Sequence, residues 1–223
     1  MRPWIIIPQL IAFFLISFPA NAEKVGTVRL VEIFGYGTLL GEKRRPLFER
    51  DDVILNMEIE SVEKGRIDVR FKDKTQLIVG SLGKIKIDNF VFNPKESVGD
   101  LSLKVAAGVM RFVTGKMSSQ SYKIRTPSAV LGVRGTDFTV SIAENGATTV
   151  SVLTGSVEIA PINGSPTTIS AGATATTDGT QISTGSTTGL PDIARADFGI
   201  SSSSAGGADG GGNDAGGDGG GGH

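Results

Sequence analysis

Histidine, cysteine and clustered acidic or hydroxyl side chains are where enzymatic or metal chemistry would begin, and this sequence offers little of it. Its single histidine is the terminal His223, and it has no cysteine. A Ser-His-Asp set needs an internal histidine as its base. Disulfides, thiolate nucleophiles and cysteine-bound metals are excluded by composition. Asp51-Asp52 is a carboxylate pair, but adjacent strand residues point to opposite faces. Gly132-x-x-Gly135 lacks the Lys and Ser/Thr of a phosphate loop, and no helix is signalled after it. Gly216-Gly217-Asp218-Gly219 resembles a calcium β-roll turn, whose repeat needs a large apolar residue after each acidic turn; none follows here. The expected protein is not an enzyme and holds no cofactor or metal.

One charged residue stands out. Arg134 lies in a turn-like, otherwise apolar and glycine-rich stretch, with Asp137 three residues on and Glu158 in the next apolar run. Its planar fork of five N–H donors suits a clamp on loop carbonyls or on one of those carboxylates, a task lysine would perform poorly. The clamp is the expected role, so that Arg134→Ala and Arg134→Lys should both lose stability. The other role is contact with a partner's anionic group. The candidate interaction turn comprises Thr126, Pro127, Gly132, Val133, Arg134, Gly135, Thr136, Asp137 and Gly155.

The elements around this turn read as strands. Phe138, Val140 and Ile142 alternate with Asp137, Thr139 and Ser141, a period of two that marks one buried face. Val150 and Val152, then Val157 and Ile159 past a kink at Gly155, continue the pattern. Asn145-Gly146 between the runs predicts a hairpin with a type I′ turn, entered through a corner at Gly132 and Gly135. Upstream, β-runs recur about every ten residues, the rhythm of a sandwich, roll or short solenoid. Ile67, Val69 and Phe71 form one, Leu77 and Val79 its return, Ile85 and Ile87 another. Leu101, Leu103, Val105 and Val109 to Val113 follow. Lysines and arginines occupy the outward positions, where they aid solubility and guard edges. Gly35-Tyr36-Gly37 reads as a turn and Glu42-Lys43-Arg44-Arg45 as a charged loop tip. A helical turn or two is conceivable only near Pro94 to Asp100.

The string from Ile124-Arg125-Thr126-Pro127 through Gly132-Val133-Arg134-Gly135-Thr136-Asp137-Phe138, followed by Val152-Leu153-Thr154-Gly155-Ser156-Val157, resembles the signature of the FecR-domain family. Weaker likenesses lie at Gly65 to Asp73 and Gly83 to Ile87. The resemblance covers about Lys24 to Asp178. It implies an all-β domain of short, mostly antiparallel strands, of the kind found in periplasmic modules of bacterial iron-uptake regulators. In those regulators the module receives a signal from an outer-membrane receptor, and a cytoplasmic N-terminal domain controls a sigma factor. Only a few residues precede the apolar N-terminal stretch here, so sigma regulation is not carried over. The resemblance implies a non-enzymatic envelope module acting by protein–protein contact, in signalling or sensing. The alternative is a structural or surface-assembly protein with a flexible spacer.

The ends of the chain complete the plan. Residues 1–22 read as a signal peptide: Arg2, an apolar run from Trp4 to Phe18, and Ala20-Asn21-Ala22 at the cleavage site. The run is short for a membrane span of about 20 residues. Residues 23–178 form the domain, and 179–200 a Ser/Thr/Gly-rich linker with an amphipathic patch at Leu190 to Phe198. In 201–223, 11 glycines and no large apolar residue predict a disordered tail. Net charge is −1, but residues 23–125 carry 19 Lys and Arg against 14 Asp and Glu, and residues 126–223 carry 2 against 9. Such asymmetry can mark an interaction surface, though no recognisable nucleic-acid module is present. An envelope protein is the expected partner, with no membrane span in the mature chain. The location is the periplasm, the cell surface or the medium. N-terminal sequencing of exported protein should begin at Glu23; recovery of Met1 would instead indicate an uncleaved anchor.

Overall fold

Strands alone, with no helix, build residues 23–118 and 120–186, which the computed structural model describes. In chain order they are β1 (Lys24–Glu32), β2 (Gly35–Thr38), β3 (Arg45–Pro46), β4 (Asp52–Ile54), β5 (Glu58–Ser61), β6 (Arg66–Phe71), β7 (Gln76–Val79) and β8 (Lys84–Asn93). Then come β9 (Val98–Val113), β10 (Tyr122–Arg125), β11 (Ala129–Ile142), β12 (Thr148–Pro161), β13 (Thr167–Ser170), β14 (Ala173–Thr177) and β15 (Ile182–Ser186). They join in one open, branched sheet. All its pairings are antiparallel except the parallel pair β9–β10. The all-β architecture expected from the sequence is the one observed. The signal peptide, the patch at 190–198 and the tail lie outside the described residues.

Three long strands organise the sheet, and each changes neighbours along its length. Residues 98–107 of β9 pair with β8, and residues 110–113 pair with β7. On its other side, β9 passes from β10 to β11. Gly108, with φ 74°, sits at the change, and a Cβ there would run into the Leu82 backbone. β11 switches from β10 to β9 around Gly135, and β12 from β14 to β13 around Gly155. A left-handed backbone costs an L-residue about 1–2 kcal/mol, so glycine takes these positions.

The switches fold the sheet over one apolar core. Phe71 of β6 and Phe90 of β8 stack at 5.6 Å although their strands do not pair. Phe112 contacts both Tyr122 and Phe138 at 5.7 Å. Val25, Val28, Ile67, Val69, Ile85, Ile87, Leu101, Leu103, Phe138, Val140, Val150 and Val152 belong to the same buried cluster. Each such side chain contributes roughly 1.5–3 kcal/mol on burial. The alternating residues read from the sequence are therefore the core.

Three local expectations are corrected. Gly35-Tyr36-Gly37 is strand, not turn: β2 pairs with β5, and a Cβ on Gly35 would strike the Ile67 side chain. Here glycine allows close approach. The reversal before it falls at Ile33, whose φ is 67°. Pro94 to Ser97 is a non-helical turn between β8 and β9. The sheet also runs past Asp178, because β15 adds to β14 as a last strand. Only Ile182 in it is a large apolar residue, so backbone pairing rather than hydrophobic pattern holds this edge.

A buried polar knot ties distant turns together. Asp73 is fully buried, and its Oδ1 accepts the Thr75 N–H at 3.0 Å. Its Oδ2 accepts the Thr75 hydroxyl at 2.5 Å and the Tyr122 hydroxyl at 2.9 Å. The Tyr122 oxygen accepts N–H groups of Gly115 (3.0 Å) and Met117 (3.2 Å). Burial, reinforced by the Asp73 carboxylate, holds the Tyr122 phenol above its usual range. The β6–β7 turn is thus fastened to the β9–β10 connection. Tyr122→Phe strips Asp73 of one donor and Met117 N–H of its acceptor. The variant should lose about 1–3 kcal/mol, the cost of leaving a buried polar group unpaired. A urea midpoint equal to wild type would show that the knot contributes nothing.

Candidate functional site: the bulged hairpin and its cationic face

The signature residues lie on the β11–β12 hairpin, the two fourteen-residue strands. Its start is fastened by hydroxyls. Thr126 Oγ1 donates to Ala129 O at 3.0 Å and accepts the Thr148 hydroxyl at 2.8 Å. Ser128 donates to Thr148 Oγ1 at 2.6 Å. Pro127 beside them is exposed. The hairpin tip differs from expectation. Gly146 N–H donates to Ala143 O, Ala143 N–H to Ala147 O, and only Gly146 has positive φ, 83°. A type I′ turn needs positive φ at both central residues, whereas this geometry is a turn over Glu144-Asn145 followed by a left-handed glycine. Asn145 serves through its side chain, which accepts the Ala147 N–H at 3.1 Å.

Midway along, the ladder is broken. Arg134 pairs with Ser156 and Asp137 with Thr154, leaving Gly135-Thr136 opposite Gly155. This is a β-bulge, which bends and twists the pair. Gly135 has φ 56° and Gly155 φ 77°, and a Cβ on Gly155 would overlap the Gly135 carbonyl. Thr136, 2% exposed, pins the bulge: its hydroxyl lies 2.8 Å from Arg134 O and 2.9 Å from Ser156 O. Its N–H donates to Thr114 Oγ1 at 3.0 Å, and the Thr114 N–H returns a bond to Thr136 O. Val133 is core. Gly132, placed at the corner by the sequence reading, instead lies inside the regular ladder opposite Lys123 and Glu158.

The arginine clamp exists, but another arginine makes it. Arg111 of β9 grips Asp137 with two bonds, Nε–Oδ1 at 2.8 Å and Nη2–Oδ2 at 2.6 Å. Both side chains are about four-fifths buried, and the Asp137 contact raises the guanidinium's proton affinity further. The Arg134 side chain is exposed and, among the described residues, makes no hydrogen bond or ion pair. The clamp expected of it is overturned, because the bulge turns its side chain outward while β9 brings Arg111 beside Asp137. Nothing in the sequence marked Arg111, which lies 26 residues from Asp137.

Arg134 shares its outward face with other cations. Lys123 of β10 is opposite Gly132, and Arg125 opposite Val130. Across the parallel pair, Lys104 of β9 is opposite Arg125, and Lys86 of β8 opposite Lys104. Three cations thus stand side by side on adjacent strands about 4.8 Å apart. Like charges so placed repel. Lys86 has Asp88 at 3.6 Å, and Arg125 donates to Ser102 Oγ at 2.7 Å. Among the described residues, Lys104, Lys123 and Arg134 have no ion pair. Asp88, Asp100 and Glu158 border the face. Gly132 lies in its middle with ordinary φ, and a Cβ there would meet only Glu158 Cβ, at 3.7 Å. The fold does not require that glycine; its effect is a bare floor among Lys123, Arg125 and Arg134.

The other basic cluster is occupied internally. Arg44 stacks on Tyr36 at 3.6 Å and pairs with Glu60, whose carboxyl is held low first by its hydrogen bond to Lys84. Arg45 pairs with Asp51. Asp51 and Asp52 separate as expected, the latter meeting Lys24. Among the described residues no group of three or more metal-ligating side chains gathers. An open cleft of about 980 Å³ lies between the β9 elbow and the hairpin tip. Leu82, Val109 and Ile142 line it, with Pro127 at its margin.

Stability should separate the two kinds of glycine. Gly155→Ala must accept left-handed strain and displace the Gly135 carbonyl, and should lower stability by at least about 1–2 kcal/mol. Gly132→Ala meets neither obstacle, so its urea midpoint should match or slightly exceed wild type. A clear loss for Gly132→Ala would make that glycine structural.

Residues 57–158 match the family model described as FecR protein. No curated protein sequence matches the chain. Two crystal structures of a candidate anti-sigma factor from Parabacteroides distasonis are similar at 19% identity, with TM-scores of 0.47 and 0.46. Each alignment covers 58% of this chain and 59% of that one. The match to the FecR protein model spans the β9 elbow, the pinned bulge and most of the cationic face, and over that span the chain is similar to FecR-domain proteins.

Proposed function

We propose that this protein is a non-enzymatic, exported cell-envelope module that acts by protein–protein contact in signalling or sensing. Its contact surface is the face bearing Lys104, Lys123, Arg125 and Arg134. One observation carries the reading: Gly132 and Arg134 belong to the signature, yet the fold uses neither for its own stability. Thr136, Asp137, Gly135 and Gly155 are accounted for by the bulge. A bare glycine floor ringed by cations suits an acidic partner surface, for which Arg134 offers a free planar fork. Export by a cleavable signal peptide is part of the proposal and rests on residues 1–22.

Cross-linking in envelope fractions followed by purification tests the mode of action. A discrete, stoichiometric protein partner supports it. Large insoluble assemblies would favour the structural, surface-assembly alternative. Arg134→Ala and Lys123→Ala should unfold at the wild-type urea midpoint while capturing about five-fold less partner each, equivalent to ~1 kcal/mol. Full capture by the double variant would remove this face from consideration.

A further inference from the structure

We infer that the acidic C-terminal segment of this chain, residues 187–223, docks in cis on the cationic face and occupies it until an external acidic partner displaces it. The inference rests on the reading of that face as a contact surface and adds its resident occupant.

Three observations meet here. First, Lys104, Lys123 and Arg134 have no ion pair among the described residues, and Lys86, Lys104 and Arg125 stand directly opposite one another. Second, residues 187–223 carry Asp192, Asp197, Asp209, Asp214 and Asp218 against Arg195 alone. The charge asymmetry of the chain is therefore sharpest between this segment and this face. Third, the segment starts on the same sheet as the face, three strand spacings from β11 across β14 and β12. Ser186 is in register with Ala173, three residues from Ser170, which lies in one cross-strand row with Ser156 and Arg134.

Reach is sufficient. Asp192 follows Ser186 by six residues, a span of up to about 20 Å at 3.3–3.6 Å per residue. Arg134 and Lys104 are two strand spacings apart and four residues apart along the strands, about 16 Å, within the span open to Asp197, eleven residues beyond Ser186. A tether of this length gives an effective concentration on the order of millimolar, so weak individual contacts suffice. The small residues around each Asp suit the bare floor at Gly132. Opposite charges at a solvent-exposed surface lose most of their attraction beyond about 8 Å at physiological salt. The contact is thus reversible and open to competition.

The test compares isotope-labelled protein, full-length in both cases, with a variant in which the five aspartates are replaced by asparagine. At about 20 mM salt, backbone amide shifts should differ at Lys104, Lys123, Gly132 and Arg134 and not at the distant β1–β4 edge. The difference should disappear near 0.5 M salt. Synthetic peptide 187–223, added to the asparagine variant, should move the same resonances, and at least five-fold more weakly when Lys123→Glu and Arg134→Glu are also present. Superimposable spectra at low salt would overturn docking in cis. If a hexa-aspartate peptide then still moves the face in the variant, the contact surface stands and only its occupant is wrong. If neither peptide moves it, the contact-surface reading falls as well.

Discussion

A strand can bond one neighbour on each side, and a strand that must bond two in succession has to break between them. That constraint governs this structure. β9, β11 and β12 are each long enough to belong to two parts of the sheet, and each breaks at a left-handed glycine. Gly108, Gly135 and Gly155 let the sheet fold over its own core while most of the ladder stays intact. The two breaks in the hairpin interlock, because the Gly135 carbonyl fills the space a side chain on Gly155 would need.

Breaking a ladder exposes backbone groups, and the sequence supplies side chains to receive them. The Thr136 hydroxyl covers carbonyls on both sides of the bulge, and Thr114 answers Thr136 across to β9. Arg111 and Asp137 close the outer side. Asp73, Thr75 and Tyr122 perform the same service just beyond the C-terminal end of β9. These groups are buried, so losing one partner costs roughly 1–3 kcal/mol. The exposed pairs, such as Lys24–Asp52, contribute about 0–1 kcal/mol. Polar stability is therefore concentrated at the breaks rather than spread over the surface.

What could be read in advance follows the same division. Period-two alternation identified Phe138, Val140, Val150, Val152, Val157 and Ile159 as core, and the break at Gly155 was visible as an interrupted pattern. Gly35 and Gly37 misled, since glycine admits both a turn and a close-packed strand, and only the neighbouring Ile67 decides. Arg134 misled because proximity in sequence to Asp137 says nothing once a bulge intervenes. Arg111 and the Lys86–Lys104–Arg125 row depend on strand pairing, above all on the parallel β9–β10 pair, which joins residues 21 apart. Local pattern does not encode such pairings.

The signature itself then separates into two sets. Gly135, Thr136, Asp137 and Gly155 are bound by the geometry of the break, and their chemistry is used up within the fold. Gly132 and Arg134 meet no comparable demand: one has room for a side chain, and the side chain of the other has no partner among the described residues. The bulge links the sets, because the backbone course that buries Thr136 also turns Arg134 outward onto the face of Lys123. Folding and recognition thus share one hairpin without sharing residues. A change on the cationic face can alter what the domain meets while leaving the break, and hence the fold, untouched.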